Sequence, residues 1–344
     1  MNRLPAEWSK QSGVMMTWPH ADSYWQPVLA ESEIVFAKII AHIAEDEKVL
    51  LSCHDVDYVR GYLNEAKANI ANVLFFPVAS NDVWTRDYGP ITVLTNQQPL
   101  LLKFKFNAWG AKYAMPLDNE VVHRLHEQKA YGNNPLRAVD LILEGGSIES
   151  DGAGTLLTTR RCLLKGKRNQ QSNEKELAAQ LTELFGLRKI LWLNHGLLAG
   201  DDTDAHIDTL VRFCNENTIC YQSCDDVDDE HYPELQKMAE ELHTFSNADG
   251  KPYHLVPLPW PQIKNSILTG DRLPAGYANF LITNSKVIVP IYNDVADEQA
   301  LEVLQNCFPD RQVVGVMSLP LIENFGSIHC VTMQLPVGVL VDNS

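Results

Sequence analysis

The chain has 344 residues, of which 45% are hydrophobic and 21% charged, with a mean hydropathy of -0.18 and a formal net charge of -16. That composition excludes a disordered or fibrous protein, and the length allows either two domains or one large domain built from repeats. The acid excess disfavours nucleic acid and anionic membrane as partners and would concentrate a cationic small molecule. With neither an apolar run of about 18 residues nor a secretory signal in Met1 to Lys10, the chain reads as cytoplasmic.

In chain order, the first strong signal is an amphipathic helix over Val28 to Glu45, with apolar residues at Val28, Val35, Ile39 and Ile43. Next comes the segment NDVWTRDYGP, Asn81 to Pro90, in which Gly89 and Pro90 mark a turn and display Asp87 at a strand mouth rather than along a helix. Strands are expected over Ile91 to Leu94 and Leu100 to Phe106. The short motif LEGGS, Leu143 to Ser147, carries Glu144 and a Gly-Gly pair that lets backbone approach closely. It lacks the spacing of a nucleotide-binding loop, and that function is set aside. A strand over Thr155 to Thr158 leads to a helix over Asn173 to Phe185, with Asn173 as N-cap, Glu176 three residues on and Gly186 past its end. The acidic segment GDDTDAHIDTLVRF, Gly200 to Phe213, places His206 two residues from Asp208, so that an extended strand would point both to one side. Strands over Phe280 to Ile282 and Val287 to Ile291 precede a helix over Asp294 to Cys307, which stops before Pro309. The last motif is GSIHCVTMQ, Gly326 to Gln334, in which His329 and Cys330 are neighbours and on a strand would face opposite ways.

Strand pairs alternating with helices indicate an α/β protein. Five times a polar residue stands at the head of a strand that leads towards a helix: Asp87, Glu144, His206, Asn279 and Cys330, spaced 57, 62, 73 and 51 residues apart. A unit recurring at that length suggests modules arranged about an axis, their leading residues converging at the centre. The seven cysteines contain no CxxC pair, which argues against a disulfide framework and a zinc ribbon, and most are expected to be buried thiols.

Each motif has an ordinary structural explanation beside the chemical one. Asp82 and Arg86 could form a loop ion pair, Glu144 could lie on the surface, and any one cysteine is by default a core residue. His206 beside Asp208 suits a general acid/base with an adjacent binding carboxylate. The competing reading is a metal site made from His195, Asp201, Asp204, His206 and Asp208, although no HExxH or EF-hand spacing is present. A thiol with an ordinary pKa of about 8.5 is mostly protonated at neutral pH, so a nucleophilic cysteine needs help from its surroundings.

Taken together, MMTWPH, NDVWTRDYGP, LEGGSIESDGAGTLLTT, GDDTDAHIDTLVRF, YANFLITNSKVIVPIYND and GSIHCVTMQLP resemble the agmatine deiminase family, which includes the bacterial type of peptidyl-arginine deiminase. The ordered set spans nearly the whole chain. The resemblance implies a single catalytic domain over residues 1 to 344, an α/β-propeller of five modules with pseudo-fivefold symmetry. Cys330 would be the nucleophile, His206 the acid/base, Glu144 the acid that orients it, Asp87 and Asp208 the grip on a guanidinium, and Trp84 an aromatic close to the substrate. No metal or organic cofactor is expected. Agmatine, cationic at both ends, suits an acidic chain as substrate, with free arginine or peptidyl-arginine as alternatives. A metal-dependent amidohydrolase using the cluster Asp201 to Asp208 and a non-catalytic guanidine-binding protein are the rivals of another class. Two motifs depart from the family pattern: WPH stands in place of WPER, and Asn324 to Cys330 reads NFGSIHC in place of GGGNIHC. Both bear on the identity of the substrate more than on the reaction. The sequence leaves open whether copies associate into a homo-oligomer.

Overall fold

The computed structural model describes residues 2 to 165, 167 to 169 and 172 to 340. Their strands form five separate sheets. Every sheet contains an antiparallel strand pair whose second strand continues through a helix into a third, parallel strand. A parallel partner requires such a crossover, because a short turn cannot bring the chain back to the starting end.

One sheet pairs Ile91–Thr95 with Gln98–Lys105 and, past the helix Asp118–Glu127, adds Leu136–Ile142. The next has Ile148–Ser150, Thr155–Thr159, the helix Glu174–Phe185 and Lys189–Leu193. Then come Val211–Asn215, Thr218–Gln222, the helix Tyr232–Leu242 and His254–Leu258. Leu281–Ile282, Lys286–Ile291, the helix Asp297–Cys307 and Gln312–Met317 follow. The remaining sheet is assembled from both ends of the chain. Its antiparallel pair joins Thr332–Pro336 to Gln11–Thr17, which runs through the helix Leu29–Ala44 into Lys48–Cys53 and then Val73–Pro77.

Each crossover helix is held by one apolar face, as its periodicity predicts. In Glu174–Phe185 the residues Leu177, Leu181, Leu184 and Phe185 are buried, and in Leu29–Ala44 so are Ile39, Ile40 and Ile43. Each such side chain contributes about 1.5–3 kcal/mol on full burial. The Asn173 cap is a complete capping box with Glu176, and Gly186 ends the helix in the left-handed conformation at φ 69.

The recurrence has a clear meaning in this architecture. Asp87, Glu144, His206, Asn279 and Cys330 each lie two to five residues ahead of the first strand of a different sheet. Three local expectations need correction. Asp87 sits on a single helical turn, Thr85–Tyr88, before the strand rather than at its mouth. His206 and Asp208 are not on an extended strand, because His206 opens a 3-10 turn, Ile207–Thr209. Cys330 likewise lies in a turn, with the strand beginning at Thr332. In each case the chain must leave one sheet and enter the next, and a turn makes that change of direction where an extended strand would not. Among the described residues no helix is long and apolar enough to cross a membrane.

Candidate active site

These leading residues meet in one place. The Cys330 thiol is 3.4 Å from Oδ1 of Asn279 and 3.9 Å from Oδ2 of Asp208, and Nδ1 of His206 is 3.7 Å from Oδ1 of Asp87. Glu144, His206 and Cys162 bring ligand-type atoms within 4.8 Å of one another. Gly146 occupies the middle. A Cβ placed there would fall 2.6 Å from Nδ1 of His206 and 3.0 Å from both Oδ2 of Asp208 and Oδ1 of Asp87. The Gly-Gly pair therefore keeps a space open between a histidine and two carboxylates.

Each of these groups is fixed from behind. Asp87 accepts the indole N–H of Trp109 at 2.9 Å and the backbone N–H of Gly146 at 3.2 Å. Asp208 meets Nδ1 of His329 at 2.7 Å, and Nε2 of the same ring lies 2.7 Å from Oε2 of Glu7. Two carboxylates thus face the two nitrogens of one ring, and the Arg212 guanidinium also lies 3.1 Å from Nε2. The same Asp208 oxygen is 3.9 Å from the neighbouring thiol. Asn279 accepts the backbone N–H groups of His329 and Cys330 at 3.0 and 3.3 Å and so sets the turn that presents the thiol. Arg168 donates to Oε1 of Glu144 at 2.9 Å, leaving Oε2 without a partner.

Burial governs the electrostatics. It pushes the Cys330 thiol well above its ordinary value, with Asp208 and Asp87 adding to the effect. Burial, together with the Asp208 and Glu144 carboxylates, holds Asp87 well above the usual carboxylate range. Burial also takes His206 down to about 3, so its ring is neutral near neutral pH. Asp208 goes the other way: burial raises it, but the hydrogen bond and charge of His329 prevail and keep it low. Without a ligand, then, the site holds a thiol, a neutral imidazole, one ionised carboxylate and one carboxyl that resists ionisation. A planar cation between Asp87 and Asp208 would relieve the strain on both Asp87 and Cys330.

The thiol lines a cleft together with Trp84, Trp109, Tyr24, Tyr113, Phe325 and Gly326. Trp84 lies against the Gly326 backbone, where an added Cβ would stand 2.1 Å from its ring. The same cleft contains Asp82, Asp87 and Asp202, and no lysine or arginine lines it among the described residues. Arginines near the motifs face elsewhere. Arg86 and Arg212 join the Glu7 network, Arg160 pairs with Glu174, and Arg272 with Asp229 and Glu230. Asp82 does not pair with Arg86 either, because its Oδ1 accepts the indole N–H of Trp25 at 2.6 Å.

Three of the five residues of the alternative metal site turn away from His206 and Asp208. His195 turns to Glu234, Asp201 to Thr203, and Asp204 to Lys112 and Arg168. Glu144 is fully buried rather than at the surface. Several residues at the site went unrecognised in the sequence. Trp109, Arg168 and Glu7 lie outside every motif, and Asn279 was visible only as a member of the recurrence. Trp109 does sit in a segment whose Ala108, Trp109 and Ala111 have φ of 51, 55 and 60, backbone that only the folded surroundings stabilise.

The fold that carries this site is similar to that of solved structures named as deiminases. Residues 3–336 match the family model described as Porphyromonas-type peptidyl-arginine deiminase, and the chain belongs to that family. A crystal structure from Porphyromonas gingivalis, described as a "Putative Arginine Deiminase", is 42% identical with a TM-score of 0.93, covering 99% of this chain and 100% of that one. The substrate-bound agmatine deiminase of C. jejuni is 38% identical with a TM-score of 0.90, covering 97% and 96%. A protein of Shewanella frigidimarina named "Putative agmatine deiminase" is 32% identical over 355 residues, covering 97% of this chain and 94% of its own.

Proposed function

We propose that this chain is an agmatine deiminase, converting agmatine and water to N-carbamoylputrescine and ammonia through a covalent intermediate on Cys330. The observation that carries the reading is the Cys330 thiol, 3.9 Å from Asp208, in a cleft lined by aromatic rings and by Asp82, Asp87 and Asp202, with no lysine or arginine in its lining among the described residues. A guanidinium is planar and delocalised, and two carboxylates can hold its N–H groups by charge-assisted bonds with the central carbon before the sulfur.

Its positive charge offsets the repulsion from Asp208 and Asp87 that helps keep the thiol protonated. The thiol proton passes to His206, and Sγ attacks the guanidinium carbon. Collapse of the tetrahedral adduct breaks one C–N bond as His206 gives its proton to the departing ammonia. An S-alkylthiouronium remains. His206, neutral again and oriented by Glu144, takes a proton from water that attacks the same carbon; the C–S bond then breaks to release the ureido product, the new hydroxyl's proton restores the thiol, and His206 gives its proton to solvent. Each step uses residues of this chain alone, with no metal. The reading extends to the architecture: the five sheets are five modules about a pseudo-fivefold axis in a single domain of 344 residues, cytoplasmic, with the site on the axis.

Agmatine is preferred over free arginine because an α-carboxylate would meet Asp82 or Asp202 in the cleft, where Lys112, the cation beside Asp202, is already paired with Asp202 and Asp204. Leaving that charge unpaired costs several kcal/mol, so kcat/KM for agmatine should exceed that for arginine by at least about a hundredfold. The family's name keeps peptidyl-arginine in contention, and steady-state ammonia release over agmatine, arginine and arginyl peptides decides between them. A value for arginine within about tenfold of agmatine, or a preference for the peptides, overturns the substrate and leaves the Cys330 chemistry standing.

A further inference from the structure

The proposed reaction makes no use of Cys162, although this fully buried thiol stands beside the two residues that handle protons. It belongs to the helical turn Arg161–Lys165, and its backbone N–H donates to Oγ1 of Thr159 at 3.2 Å. Its sulfur, a His206 ring nitrogen and a Glu144 carboxylate oxygen lie within 4.8 Å of one another. Three polar atoms in this group have no hydrogen-bond partner, namely Oε2 of Glu144 and both ring nitrogens of His206, and both residues are completely buried. Unpartnered buried polar atoms are costly, and so many at one point call for a ligand.

We propose that Glu144, Cys162 and His206 form a binding site for a thiophilic divalent cation, zinc above all, which holds the enzyme inactive by occupying His206. The donor set of one sulfur, one imidazole nitrogen and one carboxylate oxygen is the kind zinc takes, at about 2.0–2.3 Å from the metal. Tetrahedral geometry at those lengths puts ligand atoms about 3.5 Å apart, so the three must close in by little more than about an ångström, within reach of side-chain rotation. Water in the fourth position completes the shell. Arg168 holds Oε1 of Glu144 and directs Oε2 away from itself, and its charge is matched by Asp204. The second trio of possible ligands, Glu7, Glu149 and His329, differs decisively. There the Arg212 guanidinium already bonds to both carboxylates and occupies the place of a cation.

A His206 that ligates zinc can neither accept the thiol proton nor deliver it to ammonia, so bound metal stops turnover while Cys330 stays free. This consequence rests on the deiminase reading, whereas the metal site itself does not. The test therefore has two arms. In the first, chelator-treated protein is loaded with cobalt(II), whose thiolate charge-transfer absorption reports a bound sulfur without any turnover. The band is expected in the wild type and in Cys330→Ala, and absent in Cys162→Ala and in the isosteric Cys162→Ser. In the second, ammonia release is titrated with zinc chloride. Turnover of the wild type should fall at least about tenfold and return with chelator, and either Cys162 variant should need at least about tenfold more zinc for the same loss. No band in the wild type overturns the site, as does a band that survives in the Cys162 variants and vanishes in Cys330→Ala, which would put the metal on the nucleophile. A band that behaves as expected with zinc-insensitive turnover keeps the site and overturns its inhibitory role. Should both Cys162 variants fail to fold, the wild type and Cys330→Ala still decide whether sulfur other than Cys330 binds.

Discussion

Replacing Gly146 by alanine separates the site from the fold more sharply than any change to a charged residue. Its backbone has no positive φ, so an L residue adopts the conformation without strain, and the three atoms nearest to the new methyl group all belong to His206, Asp208 and Asp87. The shortest contact, 2.6 Å to Nδ1 of His206, is well inside the 3.4 Å at which ordinary van der Waals contact begins. The ring must retreat by roughly 0.8 Å, and Asp208 and Asp87, both held from behind, must give by a few tenths of an ångström each. The methyl also stands where a guanidinium would lie. A misplacement near 1 Å costs about a hundredfold in rate, or about 2.7 kcal/mol in the barrier. Gly146→Ala should therefore lose at least about a hundredfold in kcat/KM for ammonia release while keeping its melting temperature within a few degrees. Gly145→Ala is the control. Its Cβ would meet the backbone oxygen of Arg86 at 2.2 Å and Cε of Met333 at 2.8 Å, so it should lose stability. A Gly146→Ala enzyme within about threefold of wild-type kcat/KM would refute the arrangement of the three groups about that point.

Cys330→Ala should abolish turnover without unfolding, and mass spectrometry of a quenched wild-type reaction should find the adduct on the peptide carrying Cys330. Asp87→Asn and Asp208→Asn each remove a charge-assisted bond of about 1.5–3 kcal/mol and should lower kcat/KM by at least about tenfold in steady-state assays. His329→Gln removes the partner that keeps Asp208 low, so the acid limb of the pH-rate profile should move up; an unmoved limb would count against a positioning role. Asp118, buried and beside Asp82, is pushed up to about 8 from an ordinary 3.8, and its contribution to stability is full below 3.8 and lost as pH rises through 8. Thermal melts of Asp118→Asn should therefore gain on the wild type at pH about 9 relative to pH about 5, and the opposite trend would sink the assignment.

The sequence revealed what depends on pattern over short range. Helix faces, the Asn173 cap and the strand pairs follow from periodicity and turn chemistry, and observed boundaries such as Leu29–Ala44 and Glu174–Phe185 fall within a residue of the reading. The recurrence of leading residues was legible because each sheet repeats one order of elements. Less legible was the local conformation at those residues. Asp87, His206 and Cys330 sit in turns because the chain changes sheets there, a fact of tertiary arrangement that alternation along the sequence does not encode. Glu7 and Trp109 were out of reach for the same reason: Glu7 bonds to His329 across 322 positions, and Trp109 reaches Asp87 from a backbone conformation that no local preference favours. Glu144 shows the limit from the other side, since a lone glutamate beside two glycines gives no sign that it is wholly buried until Arg168 is seen against it.

The sheet that joins Thr332–Pro336 to Gln11–Thr17 sets the order in which the protein can come into being. On a ribosome adding roughly 5–20 residues each second, Gln11–Thr17 waits some tens of seconds for its antiparallel partner, its outer edge unpaired throughout. The partner strand begins two residues after Cys330, so Cys330 emerges after Asp87, Glu144, His206, Asp208 and Asn279. Asp208 therefore gains His329, its partner at 2.7 Å, and its neighbour Cys330 in the same event that pairs the open edge of Gln11–Thr17.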